Sequence, residues 1–191
     1  MSRHAFLKIL EQYRLVNPDE PITQELEQHV ASNQNCFERI QKEGAKDIAA
    51  SILLVTPDYQ RALFLWHTKI QRWTQPGGHA DGNEDIHAVA LKELEEETGM
   101  REIEIVSHVP LDITRYDYAQ ETFGYTKSIY NLCFLAKTLR AQDAKIMEPS
   151  KCSEIRWASP SEALMMIQSY EDNDTRRLIK KWVLHGHDRP L

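Results

Sequence analysis

The chain has 191 residues, of which 41% are apolar and 27% charged, with 29 Asp and Glu against 23 Lys and Arg. That length and composition suit one soluble domain with a real core and exclude a disordered chain. The acidic balance argues against a nucleic-acid partner, and no apolar run reaches the roughly 20 residues a membrane-spanning helix needs.

Residues 1–43 read as a helical extension, and 44–191 as the main domain. Phe6, Ile9, Leu10 and Tyr13 recur at helical spacing until Asn17-Pro18 stops the run. A second helix is predicted from Thr23 as N-cap, with Leu26 and Val30 inward. Phe37 and Ile40 extend the pattern past Ser32-Asn33-Gln34-Asn35, and Gly44 closes it. The pattern then changes to strands at Ile48–Val55 and Ala62–Trp66, joined as a hairpin through Pro57–Gln60. Pro76-Gly77-Gly78 reads as a loop, and Asp85–Thr98 as a helix ended by Gly99. Strands are predicted at Ile103–Val109, Ser128–Leu135 and Ile155–Trp157, with Asp112–Lys127 as a loop. Ser159-Pro160-Ser161-Glu162 starts a helix, and another runs from Asp174 to Leu184. Strands interspersed with helices give an α/β or α+β domain. Cys36, Cys133 and Cys152 are odd in number and share no Cys-x-x-Cys spacing. They read as reduced thiols, not as a disulfide framework or zinc site. Met1-Ser2-Arg3-His4 is not followed by an export signal, so a cytoplasmic location is expected.

The chemistry concentrates between Gly78 and Met100. Glu93, Glu96 and Glu97 stand at i, i+3 and i+4, on one face of the predicted helix. Three like charges so close repel one another. Hard divalent cations such as Mg²⁺ or Mn²⁺ relieve that repulsion, because carboxylate oxygens are the ligands they prefer. Ile86, Ala90 and Leu94 form one apolar stripe, and Ala88 and Leu91 a second, so the helix is expected to be buried on two sides. Its acidic face then borders a cleft. The preceding glycines allow close backbone approach to a ligand.

The spacing Gly78, five residues, Glu84, seven residues, then Lys92-Glu93-Leu94-Glu95-Glu96-Glu97-Thr98-Gly99-Met100 resembles the Nudix box. All six fixed Gly and Glu positions match, and Leu94 and Met100 fill the apolar ones. At roughly 7% usage per residue type, a chance match has a probability of about 10⁻⁵ over the chain. Lys92 stands where the family has Arg, which keeps the charge and loses the planar, bidentate fork. Trp73 before Pro76-Gly77-Gly78, and Trp157-Ala158-Ser159 ahead of a helix, also resemble Nudix habits.

The resemblance implies an α/β/α sandwich with a mixed sheet over the main domain. It implies a metal-dependent hydrolase that cleaves a pyrophosphate bond in a nucleoside diphosphate linked to another group. Glu93, Glu96 and Glu97 would hold Mg²⁺ or Mn²⁺ with the Gly78 carbonyl, and Lys92 would orient the box carboxylates. One of these glutamates, or Glu148 or Glu154 outside the box, would act as general base. Glu84 would complement a helix dipole. For the substrate, His79, Arg115 and Lys127 are candidates for its phosphates. Trp66, Trp73, Tyr116, Tyr118, Phe123 and Tyr125 are candidates for a base. The alternative is a Nudix-fold module that binds a nucleotide-like ligand to regulate a partner. Many relatives dimerise, and residues 1–43 would be the surface for a homodimer.

Overall fold

The computed structural model describes residues 2–120, 124–168 and 173–187. Helix α1 (Arg3–Val16) is capped by Ser2 and buries Phe6, Ile9, Leu10 and Tyr13, as the spacing predicts. Helix α2 spans Ile22–Ser32. Pro21 holds its cap position without a side-chain bond, and Thr23, the expected cap, is buried inside the helix. Residues 33–45 are turns, not a helix. Phe37 is still buried, because it packs edge-on against Phe6 at 5.1 Å, so its apolarity reflects tertiary packing. Gly44 holds a left-handed φ of 67° at the turn into the first strand.

Strand β1 (Lys46–Val55) is buried almost throughout, as a central strand covered on both faces should be. It pairs in parallel with β7 (Tyr125–Thr138) from Lys46↔Ser128 to Val55↔Lys137. Antiparallel neighbours complete a mixed eight-stranded sheet. These are β2 (Ala62–His67), β3 (Arg72–Thr74), β4 (Gly77–His79), β5 (Ile103–Ile105), β6 (Asp112–Gln120) and β8 (Cys152–Ala158). Three sequence expectations change here. Gly77–His79 is a strand paired with the middle of β1. The segment after Asp112 pairs with β7 from Asp112↔Cys133 to Gln120↔Tyr125. Its charged and aromatic residues mask the alternation that marks a strand. The 103–109 strand stops at Ile105.

The two faces of the sheet carry separate cores. Ile48, Ala50, Ile52 and Leu54 of β1 face a cluster shared with α1, α2 and α3 (Ile86–Thr98). Leu53 and Val55 face one shared with α4 (Pro160–Met166) and α5 (Asn173–His187). The result is an α/β/α sandwich in which α1 and α2 help build the core on the α3 side. On α3, Ile86, Val89, Ala90 and Leu94 are buried, whereas Ala88 is exposed. The helix therefore has one broad buried side, not two stripes.

Polar knots fix the extension. Asp112 on β6 meets Arg177 at 3.0 Å and Lys181 at 2.8 Å, both from α5. Lys181 also meets Tyr13 of α1 at 2.7 Å. The box residue Glu84 accepts the backbone N–H of Arg3 at 2.9 Å. The helix N-terminus that its carboxylate meets is therefore that of α1, whereas Asp85 caps α3. Among the described residues, no helix is long and apolar enough to cross a membrane.

Candidate active site

Local rules define α3. The Asp85 side chain accepts from Ala88 N–H at 3.2 Å, and Gly99 closes the helix with a left-handed φ of 72°. Between these ends, helical periodicity puts Glu93 and Glu97 one turn apart on the side facing β4. Their carboxylates are buried, with side chains 11% and 3% exposed. Glu96 lies outward, 44% exposed, with Lys92 at 2.8 Å. Lys92 also stands 3.7 Å from Glu93.

The glycines of β4 make this burial possible. A Cβ on Gly78 would lie 2.3 Å from the Glu93 carboxylate carbon, so the missing side chain is the space Glu93 fills. Gly77 N–H donates to Glu97 Oε2 at 3.1 Å. A Cβ on Gly77 would lie 2.6 Å from the Ala50 carbonyl oxygen, because β4 runs paired beside β1 at close range.

Two carboxylates buried a turn apart need a positive partner. Lys151, in the turn before β8, supplies it. Its Nζ lies 2.6 Å from Glu97, 3.2 Å from Glu93 and 3.9 Å from Glu148. It also donates to the Gly77 carbonyl at 3.4 Å. Burial pushes the Glu97 carboxyl up to about 6, against the pull of Lys151. Burial alone would lower the Lys151 ammonium, but Glu97 and Glu93 outweigh it and raise it. Sequence reasoning did not single out Lys151, which carries no periodic or motif signal. It is brought in by a strap in which Lys145 N–H bonds Thr98 O and Met147 N–H bonds Glu97 O.

The other candidates scatter. Glu148 reaches the rim of the cluster through Lys151, whereas Glu154 on β8 is tied to Arg156 at 2.8 Å. The main-chain oxygen meeting Lys151 is that of Gly77, one residue before the expected Gly78. His79 lies 3.4 Å from Asp47, and its pKa is pushed down to about 4, first by burial and then by Arg39, so the ring is neutral at pH 7. Lys127 has no exposed side-chain surface and its ammonium is bound to Asp47. In this arrangement it does not reach a phosphate. Arg115 is held by Glu25 of α2 at 2.7 Å. Trp73 is buried, edge-on to Trp66, with the Arg156 guanidinium 5.0 Å over its ring. Tyr118 has Lys69 5.3 Å over its ring, Tyr116 is 45% exposed, and Tyr125 bonds Gln41. Phe123 lies outside the described residues. Two surface hollows, of about 310 and 260 Å³, are lined by no box residue.

Among the described residues, no group of three or more His, Cys, Asp or Glu side chains forms a ready-made metal cage. The donor set still fits a hard cation. Mg²⁺ is held by one or two carboxylates, with waters and substrate phosphates completing its shell. Here two buried carboxylates and a carbonyl already surround an ammonium.

A mixed-sheet sandwich with helix carboxylates packed on a glycine strand is the architecture of the Nudix class. The chain belongs to that family: the NUDIX domain model matches residues 45–183. It is a Nudix pyrophosphohydrolase. Over 122 residues it is 27% identical to Nudix hydrolase 25 of Arabidopsis thaliana, covering 56% of this chain and 69% of that one. Among solved structures, its fold is similar to an Ap4A hydrolase of C. elegans in a binary complex. The TM-score is 0.56 at 20% identity, over 73% of this chain and 96% of that one. It is also similar to the MutT protein from Methanosarcina mazei Go1, with a TM-score of 0.53 at 18% identity, over 78% and 100% of the two chains.

Proposed function

We propose that this enzyme hydrolyses a pyrophosphate bond in a nucleoside diphosphate linked to another group, using Mg²⁺ or Mn²⁺ at the Glu93–Glu97 cluster. The observation that carries this reading is the convergence of two buried carboxylates and the Gly77 carbonyl on one cation, the Lys151 ammonium. Glu93 and Glu97 would hold the ion, with Glu96 joining from the outer side of the helix. The bound metal would supply charge neutralisation for the pyrophosphate and activation of water. Lys92 steadies Glu93 and Glu96. Glu148, half-exposed at the rim, is the supported acceptor for the proton of the attacking water, since Glu154 is engaged with Arg156. The relatives that hydrolyse Ap4A or bear the MutT name favour a small nucleotide-type substrate.

The test is a panel of ADP-ribose, nucleoside triphosphates, sugar nucleotides, dinucleoside polyphosphates and CDP-alcohols, each with Mg²⁺, Mn²⁺ or a chelator. One class should release a nucleoside phosphate only with metal. Glu97→Gln should lower that rate on the order of 10²-fold or more, the scale of losing a preorganised charge, with the circular dichroism unchanged. Near wild-type turnover in Glu97→Gln would sink the assignment.

A further inference from the structure

We propose that Lys151 is a displaceable internal counter-ion: it holds Glu93 and Glu97 together in the metal-free chain and must leave for a divalent cation to enter. The inference rests on the metal site proposed above and concerns this chain's own lysine. The Lys151 Nζ has an oxygen of Glu97 at 2.6 Å, Glu93 at 3.2 Å, Gly77 at 3.4 Å and Glu148 at 3.9 Å. An ammonium has three donors and no acceptor, so this oxygen shell is a cation's shell. A divalent ion sharing those oxygens at roughly 2.0–2.2 Å would stand against the ammonium at close range, and two positive centres there repel strongly. Both cannot occupy the cluster.

The chain also distinguishes a lysine that can leave from one that cannot. Lys127 pairs with Asp47 at zero exposure, so its charge has no route to water. Lys151 is 30% exposed and lies in a surface turn, and its flexible four-carbon stem lets the ammonium withdraw into solvent without moving β8. The carboxylates cannot follow it: Glu97 is fixed by Gly77 N–H, and Glu93 is packed on Gly78. Lys151 therefore keeps the pair in place until metal replaces it, and it sets how readily metal enters.

The experiment uses the full chain and Mn²⁺ alone, with free Mn²⁺ read by electron paramagnetic resonance and melting followed in chelator and in excess Mn²⁺. Lys151→Met keeps the stem and removes the charge. A site blocked nine-tenths of the time shows about a tenth of its intrinsic affinity, so this variant should bind Mn²⁺ on the order of tenfold more tightly. It should melt lower than wild type in chelator, and the gap should close in excess Mn²⁺. Lys145→Met, which removes an exposed charge from the same strap, should leave the affinity near wild type. Lys151→Gln, which can still bond the carboxylates, replaces the Met variant if that one does not fold. Equal or weaker Mn²⁺ binding in the Lys151 variants overturns the inference while leaving the metal site standing. Absence of Mn²⁺ binding in every variant removes the metal site, and this inference with it.

Discussion

Gly78→Ala separates the site from the fold. The added Cβ would lie 2.3 Å from both the carboxylate carbon and Oε2 of Glu93, and 2.6 Å from Oε1. Ordinary contact begins near 3.4 Å, so the carboxylate must retreat by about 1 Å, the difference between the two distances. A misplacement of about 1 Å in a positioning group costs on the order of 10²-fold in rate. The clash falls on the end of a side chain, so the fold should lose only about 1 kcal/mol, the low end of overpacking. The neighbouring Gly77→Ala provides the contrast. Its Cβ would lie 2.6 Å from the Ala50 carbonyl oxygen and 2.8 Å from Ser51 Cα, both main-chain atoms of β1. That change should cost about 3 kcal/mol, or roughly 6–12 °C of melting temperature for a domain this size. Melting curves and metal-dependent turnover on both variants provide the check. A Gly78→Ala enzyme with wild-type rate and Mn²⁺ affinity would refute the claim that Glu93 needs the empty Cβ position.

Two further outcomes test the interior. Lys127→Met strands Asp47 as a buried, unpaired charge and should cost about 3–5 kcal/mol in urea unfolding; adding Asp47→Asn should recover most of the loss, and a single-variant cost under about 1 kcal/mol would contradict the pairing. His79 is held near a pKa of about 4 against an ordinary 6.5; between those values the unfolded chain binds more protons, so stability rises with pH through this window and is lost as pH falls toward 4. The shift is worth about 3 kcal/mol, so a His79→Gln chain should show an acid limb flatter by that amount, and superimposable pH profiles would exclude it.

The parts of this protein legible in its sequence are those set by short-range rules. Helix α3 announces its cap at Asp85, its stop at Gly99 and its acidic spacing, because a 3.6-residue period needs only neighbours. The Nudix spacing is likewise local, and it carried the family and the fold class. The Phe6–Tyr13 stripe predicted α1 for the same reason. Residues 33–45 misled because Phe37, in a turn, is buried by Phe6 of the distant helix α1, and burial without periodicity looks like a broken helix. Asp112–Gln120 misled because its partner, β7, supplies the hydrogen bonds that make it a strand.

What tertiary structure alone decided is the electrostatics of the site. Lys151 is 54 positions from Glu97 in the chain, and only the folded strap brings its ammonium to 2.6 Å. The same holds for the division among the lysines: Lys127 is consumed by Asp47 inside the sheet, while Lys92 stays on the surface with Glu96. A charge's role depends on which opposite charge it meets and how much water remains between them. Those quantities belong to the packed chain, whereas the helix carrying the glutamates was already written in the order of its residues.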